Sequence, residues 1–345
     1  MRALVSEGPE RLALRQVATP RPGPGEVLVR VGVALTCATD FKLVRRGHPK
    51  IPFPLTLGHE FAGVVEAAGS GAPFAPGERV TSAVSGPCGR CDDCRRGREN
   101  LCATAFERPL FGAFADFLLV PERIVKNGLR KIPPGLSDEA AALLDPLASV
   151  VRALSRVKAP DGEDVLVVGT GPIAAMLLFL LKGRARRIVV AGRRASRLST
   201  FEENGAVPLR IDGSRGPAAA LSSFAEISSS SSSGLFSLVI DTTGNPAIAG
   251  ALPALAANGG TVVLFAGMPE GARVSVDAFA VHYREVSITG SFHYTPRDVD
   301  AAFALLVEGA IPVSSLVEER RGLAQWREAF DLVERGAAMK VALVP

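Results

Sequence analysis

The stretch from Asp164 to Arg197 constrains this chain more than any other. Val165-Leu166-Val167-Val168 is apolar and β-branched at three of its four positions, the pattern of a strand buried on both faces. Gly169 and Gly171 follow at once. A helical run then extends from Ile173 to Lys182, with Pro172 before it and Ala174 in the third small position. A second buried strand follows at Arg187–Ala191. Strand, glycine turn, helix and strand make the βαβ unit that holds a dinucleotide. Gly169 allows the tight turn, Gly171 lets the backbone approach a pyrophosphate, and Ala174 keeps helix and strand close. The helix N-terminus presents amides and the positive end of its dipole to the phosphates.

The end of the second strand bears on which dinucleotide. A site for NAD usually carries an acidic residue there, which accepts from the ribose 2′-hydroxyl. This chain has Gly192, then Arg193 and Arg194, with Arg197 one turn later. Losing the carboxylate removes repulsion against a 2′-phosphate, and guanidinium groups bind phosphate in fork geometry. The expectation is NADP(H) rather than NAD(H); the plainer alternative is a solvated basic loop.

With 345 residues, 47% hydrophobic and 21% charged, the chain is long and apolar enough for a globular protein of two domains. A net charge of +4, with basic residues spread along the sequence, gives no reason to expect a nucleic-acid groove. The uncharged run Val165–Leu181 contains Gly169, Gly171 and Pro172 and reads as strand plus buried helix, so no membrane span is expected. Met1-Arg2-Ala3-Leu4-Val5 reads as the start of a strand rather than a signal peptide. The expected location is cytoplasmic.

Alternating segments such as Glu26–Val31, punctuated by Gly and Pro, continue to about residue 125 and predict a β-rich domain. Within it, Cys37 and His59 are residue types that suit zinc, although two such residues alone leave a structural cysteine and a surface histidine equally open. Asp40 and Glu60 are placed to orient ligands, and the Thr39 hydroxyl to pass a proton. Cys88, Cys91, Cys94 and Cys102 carry a stronger signal: four cysteines in one Gly- and Arg-rich loop. They predict a closed tetrahedral zinc site, preferred over disulfides, an iron–sulfur cluster or a nucleic-acid zinc ribbon. His48, His282 and His293 have no partners at ligand spacing and are expected to be structural or superficial.

Together these motifs resemble the zinc-containing medium-chain dehydrogenase/reductase (alcohol dehydrogenase-like) family, most of all its polyol and threonine dehydrogenase branch. The resemblance rests on Cys37-Ala38-Thr39-Asp40, Gly58-His59-Glu60, the four-cysteine loop, Asp145-Pro146-Leu147-Ala148, Gly169-Thr170-Gly171-Pro172-Ile173-Ala174 and Val239-Ile240-Asp241-Thr242-Thr243-Gly244. It implies an α/β fold: a Rossmann doubly wound parallel sheet and a β-rich GroES-like catalytic domain. The expected boundaries are 1–150 for the catalytic domain, with the zinc lobe at about 85–105, 151–292 for the dinucleotide domain, and 293–345 packing back on the catalytic domain. Two zinc ions per chain are implied, one structural and one catalytic. The catalytic ion would be held by Cys37, His59 and a third ligand near position 145. The family commonly has Glu or Cys there; Asp145 is one methylene shorter than Glu, and would bind directly, through water, or leave the place to Glu60. Lys42 stands where the family often has a relay histidine, and reads either as a proton relay with Thr39 or as a solvated charge.

The implied activity is hydride transfer between a secondary alcohol (polyol, amino alcohol or sugar-derived) and NADP, with zinc as Lewis acid and the substrate in the cleft between domains. The rival readings are a zinc-free enone or quinone reductase of the same fold, and a non-catalytic dinucleotide-binding protein. A homodimer or homotetramer follows from the resemblance alone, with Val286–Gly290 as the last strand of the sheet. Asp298–Glu308 and Leu323–Glu334 are expected to be amphipathic helices, and the six serines Ser228–Ser233 a surface loop.

Overall fold

The computed structural model describes residues 1–47, 51–158, 160–211 and 236–345; His48 and the run Ser228–Ser233 lie outside them. The chain divides into two compact units, Met1–Ala148 with His293–Pro345, and Ser149–Phe292.

The second unit is a six-stranded sheet whose strands are all parallel. Its order is Val207–Arg210, Arg187–Gly192, Asp164–Val168, Phe236–Asp241, Ala256–Leu264 and Ser287–Gly290. Leu166, Val168, Val189, Val239 and Val262 are buried in one core cluster of this sheet, as expected where helices cover both faces. The helix after the glycine turn runs from Pro172 to Leu181, with Gly171 as N-cap and Pro172 at the first helical position. Proline fits there because the amide it lacks would have no partner inside the helix. This is the doubly wound α/β architecture that the βαβ pattern predicts.

The first unit is β-rich. A seven-stranded sheet includes, as consecutive neighbours, Val317–Gly322, Lys340–Val344, Val27–Leu35, Glu60–Ala68, Arg79–Ser82 and Leu129–Lys131, with Phe117–Val120 also paired to Val27–Leu35. A second sheet joins Leu12–Gln16, Arg2–Ser6 and Leu55–Thr56. Within the first sheet, Leu35 pairs with Glu60 on one side and with Ala342 on the other. That register brings the C-terminal strand to the residues that surround Cys37 and His59. Two helices, Pro296–Val307 and Trp326–Arg335, follow the second unit; the first starts at a Thr295–Asp298 capping box and the second ends at Gly336 in the left-handed conformation. Among the described residues no helix is long and apolar enough to cross a membrane.

Candidate metal and dinucleotide sites

Cys37 is the N-cap of the helix Ala38–Arg46, and Asp40 lies in that helix's first turn. Asp40 is fully buried. One of its oxygens accepts from the Cys37 amide at 3.1 Å, and the other accepts from the Gly58 amide at 3.2 Å and lies 3.4 Å from His59 Nδ1. A single carboxylate therefore fixes the cysteine turn and lies beside the histidine ring, whose Nδ1 is buried without a hydrogen-bond partner. With Nδ1 turned to Asp40, Nε2 remains for a metal. Burial opposes charge on His59, but the Asp40 carboxylate and the Cys37 sulfur outweigh it and raise the imidazole pKa well above its ordinary value. A pocket that favours a proton on this ring favours positive charge at that place.

The ligand-type atoms of Cys37, His59 and Glu60 lie within 4.8 Å of one another. Glu60 is buried and opens the strand Glu60–Ala68. Its Oε2 accepts from Lys340 Nζ, which also donates to the Thr36 carbonyl at 3.2 Å. Its Oε1 is buried without a hydrogen-bond partner. Burial keeps the Glu60 carboxyl above its ordinary pKa even against Lys340 and His59, while Glu60 holds the buried Lys340 ammonium above its own. An orphaned carboxylate oxygen beside a thiol and an imidazole costs free energy unless a cation completes it. The donor set of sulfur, nitrogen and oxygen fits zinc.

Asp145 lies in the helix Leu144–Ser155 and stands outside that group of three. Its Oδ1 accepts from the Val84 amide at 3.0 Å and from the Tyr294 hydroxyl. The Val84 amide is shared with the Tyr294 oxygen at 2.7 Å. Burial and the neighbouring Asp145 raise the Tyr294 phenol pKa well above 10, so the phenol stays protonated and donates. His293 stacks on Tyr294 with ring centroids 3.7 Å apart, and its Nε2 meets Ser85 Oγ. Burial lowers the His293 pKa to about 4, so this ring is neutral near pH 7. Thr39 and Lys42 are both exposed on the helix Ala38–Arg46. Lys42 lines an open groove of about 600 Å³ with Phe41 and Arg45.

Cys88, Cys91, Cys94 and Cys102 gather with their sulfurs within 4.8 Å of one another, and none is in a disulfide. The Cys91 and Cys94 sulfurs are 3.5 Å apart. The Cys91 amide donates to Cys88 Sγ at 3.4 Å, and the Cys88 amide to Cys102 Sγ at 3.3 Å. Amides of Arg90 and Cys91 pull the Cys88 thiol down to about 6, whereas burial and the Cys91 sulfur push Cys94 up to about 12. Four sulfurs so close cannot all be thiolates unless a cation joins them.

In the second unit, Gly169 has φ +121°, and a Cβ there would overlap Thr242 Oγ1. Thr242 is itself fixed by its hydroxyl, which donates to the Val168 carbonyl at 2.8 Å. A Cβ on Gly171 would meet nothing within 4 Å. Open space over Gly171, at the N-terminus of the helix Pro172–Leu181, fits a pyrophosphate cradle. Arg193 and Arg194 are exposed at the end of the strand Arg187–Gly192. Arg197 differs from them: it is buried at 7% exposure, on the helix face it shares with Leu198 and Phe201.

Lys340 and Tyr294 were not expected from the sequence. Lys340 begins an otherwise apolar strand, and Tyr294 is one of two tyrosines in the chain. These are the only signals that pointed to them.

Known proteins place this geometry. Residues 23–132 match the family described as alcohol dehydrogenase GroES-like domain, and residues 169–308 the family described as zinc-binding dehydrogenase. The D-altritol 5-dehydrogenase of Agrobacterium fabrum is 32% identical over 89% of this chain and 88% of its own length. The chain belongs to the zinc-binding alcohol dehydrogenase family. It is an oxidoreductase of that family, with a GroES-like domain and a Rossmann-like domain. The L-threonine 3-dehydrogenase of Rhizobium rhizogenes is 29% identical over 99% of this chain and 98% of that one. A zinc-binding dehydrogenase from Sinorhizobium meliloti, solved bound to NADP, is 30% identical with a TM-score of 0.85, covering 100% of this chain and 99% of that one.

Proposed function

We propose that this enzyme interconverts a secondary alcohol (a polyol, amino alcohol or sugar derivative) and its ketone, using zinc and NADP(H). The observation that carries the reading is the buried, unpartnered Glu60 Oε1 in the group it forms with Cys37 and His59. In this reading Cys37, His59 and Glu60 hold the catalytic ion, and Cys88, Cys91, Cys94 and Cys102 a structural one. Asp145, tied to Val84 and Tyr294, stands beside the shell rather than in it. When bound, zinc supplies Lewis-acid polarisation of the alcohol or carbonyl oxygen, and NADP(H) takes or gives the hydride.

The chain's own residues do the rest. Asp40 orients Cys37 and His59 together, and Lys340 holds one oxygen of Glu60 so that the other faces the cation. Thr39, exposed on the adjoining turn, passes the hydroxyl proton outward, with Lys42 one helical step beyond it. Gly169, Gly171, Pro172, Ile173 and Ala174 cradle the pyrophosphate at the helix N-terminus. Arg193 and Arg194 take the 2′-phosphate. Polyol and threonine dehydrogenase relatives support the substrate class, and the NADP-bound relative supports the cofactor.

A four-thiolate site needs reduced cysteines, which suits the cytoplasm. Exposed Phe279, Tyr283 and Ile288 near the edge strand Ser287–Gly290 support a homodimer or homotetramer, which light scattering measures. The deciding experiment is zinc analysis with NADPH and NADH titrations, followed by turnover on a panel of polyols and amino alcohols. Two zincs per chain, tighter NADPH binding and oxidation of a secondary alcohol are expected. Zinc only at the cysteine lobe, with reduction of enones instead, would overturn the reading.

A further inference from the structure

The strand Arg187–Gly192 ends on a buried glycine, at the position where the second strand of a dinucleotide fold meets the ribose 2′ group. Its φ is not in the left-handed region, so backbone conformation does not require glycine there. The neighbouring side chain does. A Cβ built on Gly192 would overlap the Cγ2 methyl of Thr170, with Thr170 Oγ1 3.3 Å and Cβ 3.4 Å away. Thr170 lies between Gly169 and Gly171 in the phosphate-binding turn, 22 positions earlier.

We infer that Thr170 is a cofactor-specificity residue: its methyl fills the seat that a carboxylate-bearing side chain at position 192 would need. The inference rests on the NADP(H) reading and deepens it. Threonine is β-branched and stiff about its first side-chain bond, so the methyl does not swing aside freely. An acidic residue at 192 would also enter a buried position, where an unpaired charge is costly. The seat therefore stays neutral and small, and the 2′-phosphate meets Arg193 and Arg194 without a repelling neighbour. Removing the Thr170 side chain beyond Cβ leaves a carbon 3.4 Å from the new Cβ, an ordinary contact. Positions 170 and 192 touch, so changes at the two should not be additive.

The test is a cycle of Gly192→Asp, Thr170→Ala and the double variant. Tm is read without nucleotide, and Kd for NADPH and NADH by calorimetry. Gly192→Asp alone should lower Tm and weaken both nucleotides by about tenfold or more, without favouring NADH. Thr170→Ala alone should keep the preference for NADPH. The double variant should recover Tm relative to Gly192→Asp and bind NADH more tightly than NADPH. If Gly192→Asp alone keeps the parent Tm and turns to NADH, Thr170 does not guard the seat. If the Tm changes simply add, or the recovered double variant still prefers NADPH, the inference is equally overturned. Tighter NADH binding by the parent protein would sink the NADP(H) reading instead. The Tm coupling, measured without nucleotide, separates that failure from failure of the steric argument.

Discussion

Glu60 and Lys340, 280 positions apart, form a fully buried ion pair at the Cys37–His59 group. Both side chains are at most 2% exposed. The pair uses one oxygen of Glu60 and leaves the other buried without a hydrogen-bond partner. Such a pair adds little net stability against an apolar substitute, but removing one partner strands a buried charge. Lys340→Met should therefore cost about 3–5 kcal/mol in urea unfolding of the metal-free protein. Adding Glu60→Gln to it should recover part of that loss. Equal loss in single and double variants would show that the pair is not the source.

Which carboxylate serves the catalytic ion can be read from metal affinity. Glu60→Gln should release the ion at Cys37 and His59 by about 100-fold or more. Asp145→Asn should weaken it by no more than about tenfold, as for a residue acting outside the coordination sphere. Tyr294→Phe should leave metal content unchanged and cost about 1–3 kcal/mol, because Asp145 Oδ1 keeps only the Val84 amide. Competition with a chromophoric chelator gives the metal affinities and urea unfolding the cost of Tyr294→Phe; the reverse order at Glu60 and Asp145 would put Asp145 in the shell.

The parts of this molecule that were legible in the sequence are local. Strand, glycines and helix from Asp164 to Leu181 announce themselves because they follow one another directly along the chain. The four cysteines sit in one loop, so spacing alone brings their sulfurs together. Cys37 and His59 came only with the family resemblance, since a lone cysteine and a lone histidine have bland explanations. Lys340 and Tyr294 were not legible, because they reach Glu60 and Asp145 across 280 and 149 positions. Strand register and the return of the chain to the first sheet decide those meetings, and no single-sequence pattern encodes them. Arg197 shows the same limit at the level of burial: the sequence groups it with Arg193 and Arg194 as a phosphate-binding candidate, and the structure buries it while leaving those two exposed. Its helical spacing with Leu198 and Phe201 carries that burial.

The cysteine lobe gives a metal count that activity does not. Cys94 and Cys102 are buried, and the lobe's sulfurs crowd a small volume. Cys94→Ser should reduce zinc from about two equivalents to about one and lower Tm, since binding free energy at a structural ion is folding free energy. Cys37→Ser should also lose one equivalent, but abolish turnover with Tm nearly unchanged. Elemental analysis beside a thermal melt distinguishes the two; full zinc-dependent turnover by Cys37→Ser would remove Cys37 from the catalytic site.

His293 sets a pH dependence whose sign follows from its burial. Packed against Phe106 and Tyr294, its pKa falls to about 4, whereas an unfolded chain protonates histidine near 6.5. Between those values the unfolded state binds more protons than the folded one, so stability rises with pH. The contribution is fully present above about 6.5 and is lost as pH falls toward about 4, to a limit of about 3 kcal/mol. The nearby Asp145 carboxylate already counts in that depressed value, opposing the effect of burial. His293→Asn keeps a residue tolerant of the left-handed backbone found here, φ +56°, and removes the titration. Urea midpoints at pH 7 and pH 5 should differ less for the variant than for the parent. Equal differences in the two proteins would assign the acid lability to other groups.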